Sequence, residues 1–575
     1  NDSLTWTKGA HQFRFGFDLV RHHLNHWQPE LSNGGPRGLF DFNGQTTVLN
    51  TDGNSSTNNQ FNAYAQFLLG LSDDVQKGEQ YILMTGREWQ LGWYGQDRWQ
   101  VNKNLTLTMG LRYELYPLMT RSNGYGIERY DPSSNLVYMG GRGDVPEDAG
   151  ISVSHKLFAP HIGLAYRIGD NTVIRTGYGL NYDPLAFSRP LRGFYPLTIN
   201  QEEKSPNSFS YALTMAQGIP AIIEPDISTG VISLPGDASE RSPEDYIHRG
   251  YVQSWNFTLE RRLPDNWLVS VGYVGQHSVH LLADYDINTG YPGSTLSNLP
   301  YNLLYGRTQP SDMWDGYLSS SYNSMQVAFT RSFSNGLMIK GAYTWSHAID
   351  YTDDDGWASV GWNYAPDFQR NRATAGFDVP QNVEIGWIYE LPFGKNKKWV
   401  NSGFGSMLLG GWQLSGREAM YSGLPFTVTA PDTSLNDAGT NTQTANQILP
   451  TVQFLGHVGP GQYYYNPAAF AAVTTQSFGT SGRNILRNPG IWNTDMSIVR
   501  NFQIKERFLL QFRTEFTNLP NTSHFYGGGG GGGGAGNTFS SGGGGVDSGV
   551  TDSSFMQVTS ASGERNIRFG LRLQW

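Results

Sequence analysis

The chain has 575 residues and a formal net charge of −9; only 15% of its residues are charged, while 13% are aromatic. A soluble domain carries roughly 25% charged residues and a general nucleic-acid binder needs a basic surface to release counterions from phosphates, so neither class fits. No apolar run approaches the roughly 20 residues of a membrane-spanning helix, and the absence of cysteine suits an oxidising compartment among others.

The first residues, Asn1 to Trp6, carry no basic and apolar leader, so the chain reads as mature, processed or internal. From there a side-chain period of two recurs. Leu105, Leu107, Met109, Leu111, Tyr113 and Leu115 alternate with Thr106, Thr108, Gly110, Arg112 and Glu114, the pattern of a strand with one apolar and one polar face. The same alternation runs through Trp255, Phe257 and Leu259, through Met325, Val327 and Phe329, through Leu337, Ile339, Tyr343 and Trp345, and through Phe508, Leu510, Phe512 and Phe516.

Between strands lie short turns of residues that tolerate tight backbone: Lys8-Gly9-Ala10, Asn102-Lys103-Asn104, Gly169-Asp170-Asn171, Pro264-Asp265-Asn266, Ser334-Asn335-Gly336 and Lys505-Glu506. The other connections are long, over residues 183–250, 283–322, 347–378 and 430–489, with a glycine-rich last loop over 517–563. Gly527 to Gly534 are eight consecutive glycines, which give neither pattern nor core. Short turns at one end and long loops at the other mark an outer-membrane barrel with periplasmic turns and extracellular loops.

The chain closes on a strand over 565–575 that places Ile567, Phe569, Leu571, Leu573 and Trp575 on one face and Asn566, Arg568, Gly570, Arg572 and Gln574 on the other. Counting back from a periplasmic Trp575 gives roughly 15 to 17 strands and an external Asn1. A complete single-chain bacterial barrel has an even strand number and both ends in the periplasm, so earlier strands are expected to be absent from this sequence. The expected fold is all-β, a large antiparallel transmembrane barrel spanning residues 1–575.

Several ordered segments carry a resemblance: Trp6-Thr7-Lys8-Gly9-Ala10-His11-Gln12-Phe13-Arg14-Phe15-Gly16, Ala159-Pro160-His161-Ile162-Gly163-Leu164-Ala165-Tyr166, and Tyr322-Asn323-Ser324-Met325-Gln326 with Tyr343-Thr344-Trp345-Ser346. Gly411-Trp412-Gln413, Gly482-Arg483-Asn484 and Arg513-Thr514-Glu515-Phe516-Thr517-Asn518 continue it. Together they resemble the barrel of an Oar-like TonB-dependent outer-membrane receptor of acidobacterial type. That resemblance implies 22 strands, an N-terminal plug, and coupling to TonB, ExbB and ExbD through a plug that is not in this chain. It also implies that Arg568, Gly570, Leu573 and Trp575 form the signal read by the barrel-assembly machinery. A lumen this wide leaks solutes unless filled.

Candidate ligand contacts lie in the long loops, where Trp357, Trp362, Tyr364, Tyr463, Tyr464 and Tyr465 can stack on a ligand or pack loop against loop. Asp350, Asp353, Asp354 and Asp355 offer an oxygen-rich group for calcium, without the spacing of an EF-hand; a solvated acidic loop is the plainer reading, and no other cofactor is expected. His22 and His26 share a strand face but stand roughly 13 Å apart, too far to chelate one ion. No nucleophile and base fall at diagnostic spacing, so the chain is not read as an enzyme. The expected function is energy-coupled uptake of a scarce saccharide, peptide or metal chelate. The rivals are a passive porin and a surface structural or adhesive barrel.

Overall fold

The computed structural model describes the chain apart from residues 28–33, 49, 52–53, 56–59, 81, 123, 185–194, 208, 354–358, 433–434, 436–440, 506–507 and 526–544. The alternating segments form one 17-stranded sheet, matching the expected all-β barrel class. Two of its members, Glu240–Pro243 and Ala373–Thr374, are short loop pieces clipped to its rim.

The long strands, in chain order, begin with β1 (Asp2–Lys8), β2 (His11–His26), β3 (Met84–Gln100), β4 (Leu105–Leu115) and β5 (Leu157–Ile168). They continue with β6 (Thr172–Tyr182), β7 (Tyr251–Leu263), β8 (Trp267–Asp286), β9 (Ser311–Ser334) and β10 (Leu337–Asp350). The last are β11 (Gln381–Glu390), β12 (Trp412–Tyr421), β13 (Ile491–Lys505), β14 (Phe508–Thr517) and β15 (Asn566–Gln574). Each pairs antiparallel with the next in sequence. Among the described pairings β1 meets only β2 and β15 meets only β14.

Register converts the alternation into two faces. Tyr273, Met325 and Trp345 lie in one row across β8, β9 and β10, and all three are exposed. The adjacent row, Thr258, Gly272, Gln326, Thr344 and Asn382, is polar or small. A row of exposed aromatic and aliphatic side chains backed by a polar row is the signature of a wall with lipid outside and a wet lumen inside. No described helix is long and apolar enough to cross a membrane.

The short turns form as the residues dictate. Asp265 and Asn266 both take positive φ, 58° and 63°, and Asn335 and Gly336 take 52° and 81°, as the tightest hairpins require. One connection at this end is longer: residues 391–411 carry the helix α3, Gly403–Leu409, which the sequence reading did not anticipate. Glu506 lies outside the described residues.

At the other end the loops start later than expected after β8. That strand continues to Asp286 and β9 begins at Ser311, because register shifts between Val279 and Leu281 and between Leu281 and Ala283 let pairing persist past the bend. The expected loop 283–322 therefore contracts to 287–310, which contains α2, Pro300–Tyr305. With 20 and 24 residues, β8 and β9 far exceed the roughly 9–11 needed for a tilted crossing and extend past it at the long-loop end. Two further long connections, over 27–83 with α1 (Gln60–Leu69) and over 116–156, complete this end.

The buried hydrophobic residues gather in these loops, as the inside-out logic of a barrel requires. Tyr130, Val137, Met139, Leu197, Ile199 and Leu234 form one cluster, tied to the strands through Met84 and Met313. Val428, Ala469, Phe470, Phe555, Met556 and Val558 form another. A three-stranded sheet of Leu39–Asp41, Asp74–Gln80 and Thr198–Lys204 knits distant loops together.

Candidate ligand-binding mouth

The loops over 351–380 and 422–490 meet around two buried asparagines and two arginines. Asn371 ends a short 3-10 helix, Ala365–Asn371, opened by Pro366 at its first turn. Its Oδ1 accepts from the backbone N–H groups of Gly361 at 2.9 Å and Trp362 at 3.0 Å, and its Nδ2 donates to the carbonyls of Trp362 and Phe368. One side chain thus folds the loop around itself.

Arg483 enters from the other loop. Its Nη1 donates to the Asn371 carbonyl at 2.8 Å, and its Nη2 donates to Asp350 Oδ1 at 2.8 Å and Asp353 Oδ2 at 2.9 Å. All three charged side chains are buried. Asn484 adds bonds from its Nδ2 to the Thr374 carbonyl and from its backbone N–H to Thr427 Oγ1. Arg487 completes the latch, with its Nη2 2.5 Å from Asp378 Oδ2 and its Nη1 on the Asp378 carbonyl. Charge-assisted bonds of this forked kind fix geometry as well as energy.

Beside the latch opens a cleft of about 950 Å³, lined among others by Asp367, Arg370, Arg372, Phe478, Thr480 and Ile485, within the size range of small-ligand sites. The Arg370 guanidinium lies over the Trp362 ring at 4.8 Å and the Phe478 ring at 5.5 Å, while its Nη2 donates to the Gly479 carbonyl at 2.5 Å. Burial pulls Arg370 below its usual value, against the opposing pull of Asp367. Arg372 is exposed. A stacked arginine beside an exposed one suits a ligand that presents carboxylate, phosphate or other hydrogen-bond-accepting oxygens.

The structure sorts the residues singled out from sequence. Trp362 is completely buried beneath Arg370, so in this conformation it shapes the cleft from behind and offers no face to a ligand. Tyr364 leans on Phe478 with ring centres 6.4 Å apart. Tyr464 and Tyr465 pack against Phe454 at 5.0 and 5.6 Å, and the Tyr465 hydroxyl donates to the Arg487 carbonyl; both hold loop to loop. Tyr463 is exposed and bridges to Gln557. Trp357, Asp354 and Asp355 lie outside the described residues, as does the run from Gly527 to Gly534.

Asp350 and Asp353 both pair with the guanidinium of Arg483, and no group of three metal-ligating side chains occurs among the described residues. Arg568 and Gly570 sit on β15 opposite Glu515 and Arg513, on the lumen side, while Leu573 belongs to its outer face and Trp575 stands exposed just past it. Sequence reasoning missed Arg370, Arg372, Asn371, Asp378 and Arg487. Besides Asp350, Asp353, Trp362 and Tyr364, singled out for other roles, its signal for this site was Gly482-Arg483-Asn484, noted as a resemblance and now seen to be the heart of the latch.

A family model described as "Outer membrane beta barrel domain" matches residues 1–568. The chain belongs to this family of outer-membrane barrels. Among solved structures it is similar to the ferripyoverdine receptor of the outer membrane of Pseudomonas aeruginosa, at 9% identity and a TM-score of 0.41, covering 100% of this chain and 47% of that one. It is also similar to the outer membrane transporter YddB of Escherichia coli, at 8% identity and 0.44, covering 99% and 52%. The siderophore receptor PirA of Acinetobacter baumannii matches at 8% identity and 0.43, covering 100% and 53%. The chain thus spans about half the length of these structures. No curated protein matches it.

Proposed function

We propose that this outer-membrane barrel is the pore-forming part of an Oar-like TonB-dependent receptor that takes up a scarce saccharide, peptide or metal chelate. In this reading the long loops face outward, the C-terminus is periplasmic, and a plug outside this chain fills the lumen and couples to TonB, ExbB and ExbD. Arg568 to Trp575 serve the barrel-assembly machinery. The observation that carries the reading is the mouth: its loops are cross-bolted by Arg483 and Arg487 around an arginine-aromatic cleft. A non-selective pore needs no pre-shaped cleft among its long loops. A receptor that must hold a dilute ligand does.

The test is whole-cell uptake of labelled oligosaccharides, peptides and ferric chelates by wild-type and gene-deleted cells, with and without a protonophore. Uptake of one class that needs both the gene and the proton-motive force supports the proposal. Entry indifferent to the protonophore points to a porin. Cell or matrix attachment lost on deletion, without any uptake defect, points to an adhesive barrel.

A further inference from the structure

A second cavity, of about 530 Å³, lies at the opposite end of the wall among the short turns. Its lining comes from β1 to β6 and includes Arg98, Lys103, Arg167 and Arg175, with Gln12 and Gln100 beside them, and contains no aspartate or glutamate. Register places Arg98 opposite Gln12 and Thr108, and Arg167 opposite Val173, all on the polar, lumen-side face. Arg175 has a partner, Glu260, at 3.2 Å. Among the described residues Arg98, Lys103 and Arg167 have no carboxylate within ion-pair distance. Four cations converging on one cavity in a chain of net charge −9 make a local field opposite in sign to the molecule as a whole.

A second observation points to an occupant. Directly along the lumen face from this cavity stand Gly110, Gly163 and Gly177, with Gly163 paired to Gly177 and to Thr108. A Cβ at these positions would meet its nearest atom at 3.5, 3.7 and 3.4 Å, ordinary contact distances, so the wall itself does not demand glycine there. Glycine inside a strand weakens it, and is found where something must approach the backbone closely. The strip is a shallow lane of three glycines between the side chains of Gln96, Thr108 and Asn256, leading to the cations.

We infer that the cavity around Arg98, Lys103, Arg167 and Arg175 is a binding site for a small polyanion bearing carboxylate or phosphate oxygens, reached along the Gly110–Gly163–Gly177 lane. Arginine forks and a lysine point charge match such oxygens, and a site framed by a lumen wall strengthens the field that draws them in. The inference requires that the plug of the proposed function leaves this short-turn end of the lumen open, and binding, measured on purified protein without transport, tests it separately.

The experiment is calorimetric titration of the protein, purified from outer membranes in detergent at low ionic strength, with citrate and with inorganic pyrophosphate; sorbitol is the neutral control. Binding of a polyanion that weakens at least tenfold in Arg98→Gln/Arg167→Gln, and again with added salt, supports the site. Lys103→Gln, in an exposed turn where folding is not at stake, should weaken it several-fold. Retained gel migration of the folded form shows that the double variant still folds. No polyanion binding, or equal affinity in wild type and variants, overturns the inference. Hexaglutamate binding at least tenfold tighter than citrate also overturns it, in favour of an acidic polypeptide as the occupant.

Discussion

Gly92 on β3 and Arg112 on β4 share one space in the lumen wall: a Cβ added to Gly92 would fall on the guanidinium of Arg112. The glycine exists so that Arg112 can reach Asp18 Oδ2 at 2.7 Å and Glu114 Oε1 at 2.8 Å. Gly92→Ala should therefore cost about 1–3 kcal/mol through overpacking, read by urea titration of the gel-shifted folded form. Arg112→Ala on the same background should recover part of that loss, giving a coupling of roughly 0.5–3 kcal/mol. Strict additivity of the two changes would show that the residues do not compete for this space.

At the mouth, Arg483→Met should leave Asp350 and Asp353 buried without their counter-charge, a loss of about 3–5 kcal/mol for a broken buried pair. The barrel should persist while residues 351–380 and 422–490 become open to limited proteolysis. Arg483→Lys should be intermediate, since a lysine keeps the charge but cannot fork between two carboxylates and a carbonyl. A protease pattern identical to wild type in the methionine variant would remove the latch role.

The loop sheet should respond to pH through Asp74 and Glu202, whose carboxylates are bridged by Gln76 Nε2 at 2.6 and 3.0 Å. Burial first, and Glu202 second, push Asp74 up to about 7. The folded state then holds a proton that the unfolded chain releases near pH 4, so this contribution is fully present below about pH 4 and is lost as pH rises to about 7. Hydrogen-exchange protection of Thr198–Lys204, corrected for intrinsic rates, should fall across that window. In Glu202→Gln the fall should be smaller and shifted to lower pH, and an unchanged slope would remove Glu202 as a cause of the shift in Asp74.

On the outer face, Val271 of β8 is 43% exposed and paired with Val327. Val271→Arg should cost about 2–4 kcal/mol if the residue lies at the bilayer midplane, and about 0–1 near an interface. Folding into vesicles of defined thickness measures it. A stabilising effect would contradict lipid contact on this face.

At the chain's end, Trp575→Ala should reduce the amount of folded barrel in outer membranes several-fold while leaving detergent refolding of the purified chain near wild type. An equal loss in both settings would make Trp575 a packing residue and not part of an assembly signal.

The strands and tight turns were legible because their determinants are local: a period of two, and turn residues such as Asp265-Asn266 and Asn335-Gly336 that accept positive φ. The latch was not legible, since Arg483 and Asp350 stand 133 residues apart and no local period links them. Trp362 shows the converse. Its aromatic character suggested a ligand platform, but only tertiary packing reveals Arg370 lying over it. The extent of β8 and β9 was misjudged for a related reason, because pairing that resumes beyond an irregularity leaves no unbroken alternation to read.

The hydrophobic clusters of the loops give this protein two differently solvated halves with separate reasons to hold together. The wall owes its stability to lipid on its outer rows, whereas the cap above it is packed as a water-soluble domain is, around residues such as Leu197, Met139, Phe470 and Met556. Detergent, denaturant and temperature act unequally on the two. The loop clusters can loosen locally while the paired strands hold, so mild denaturation at the long-loop end is separable from loss of the wall.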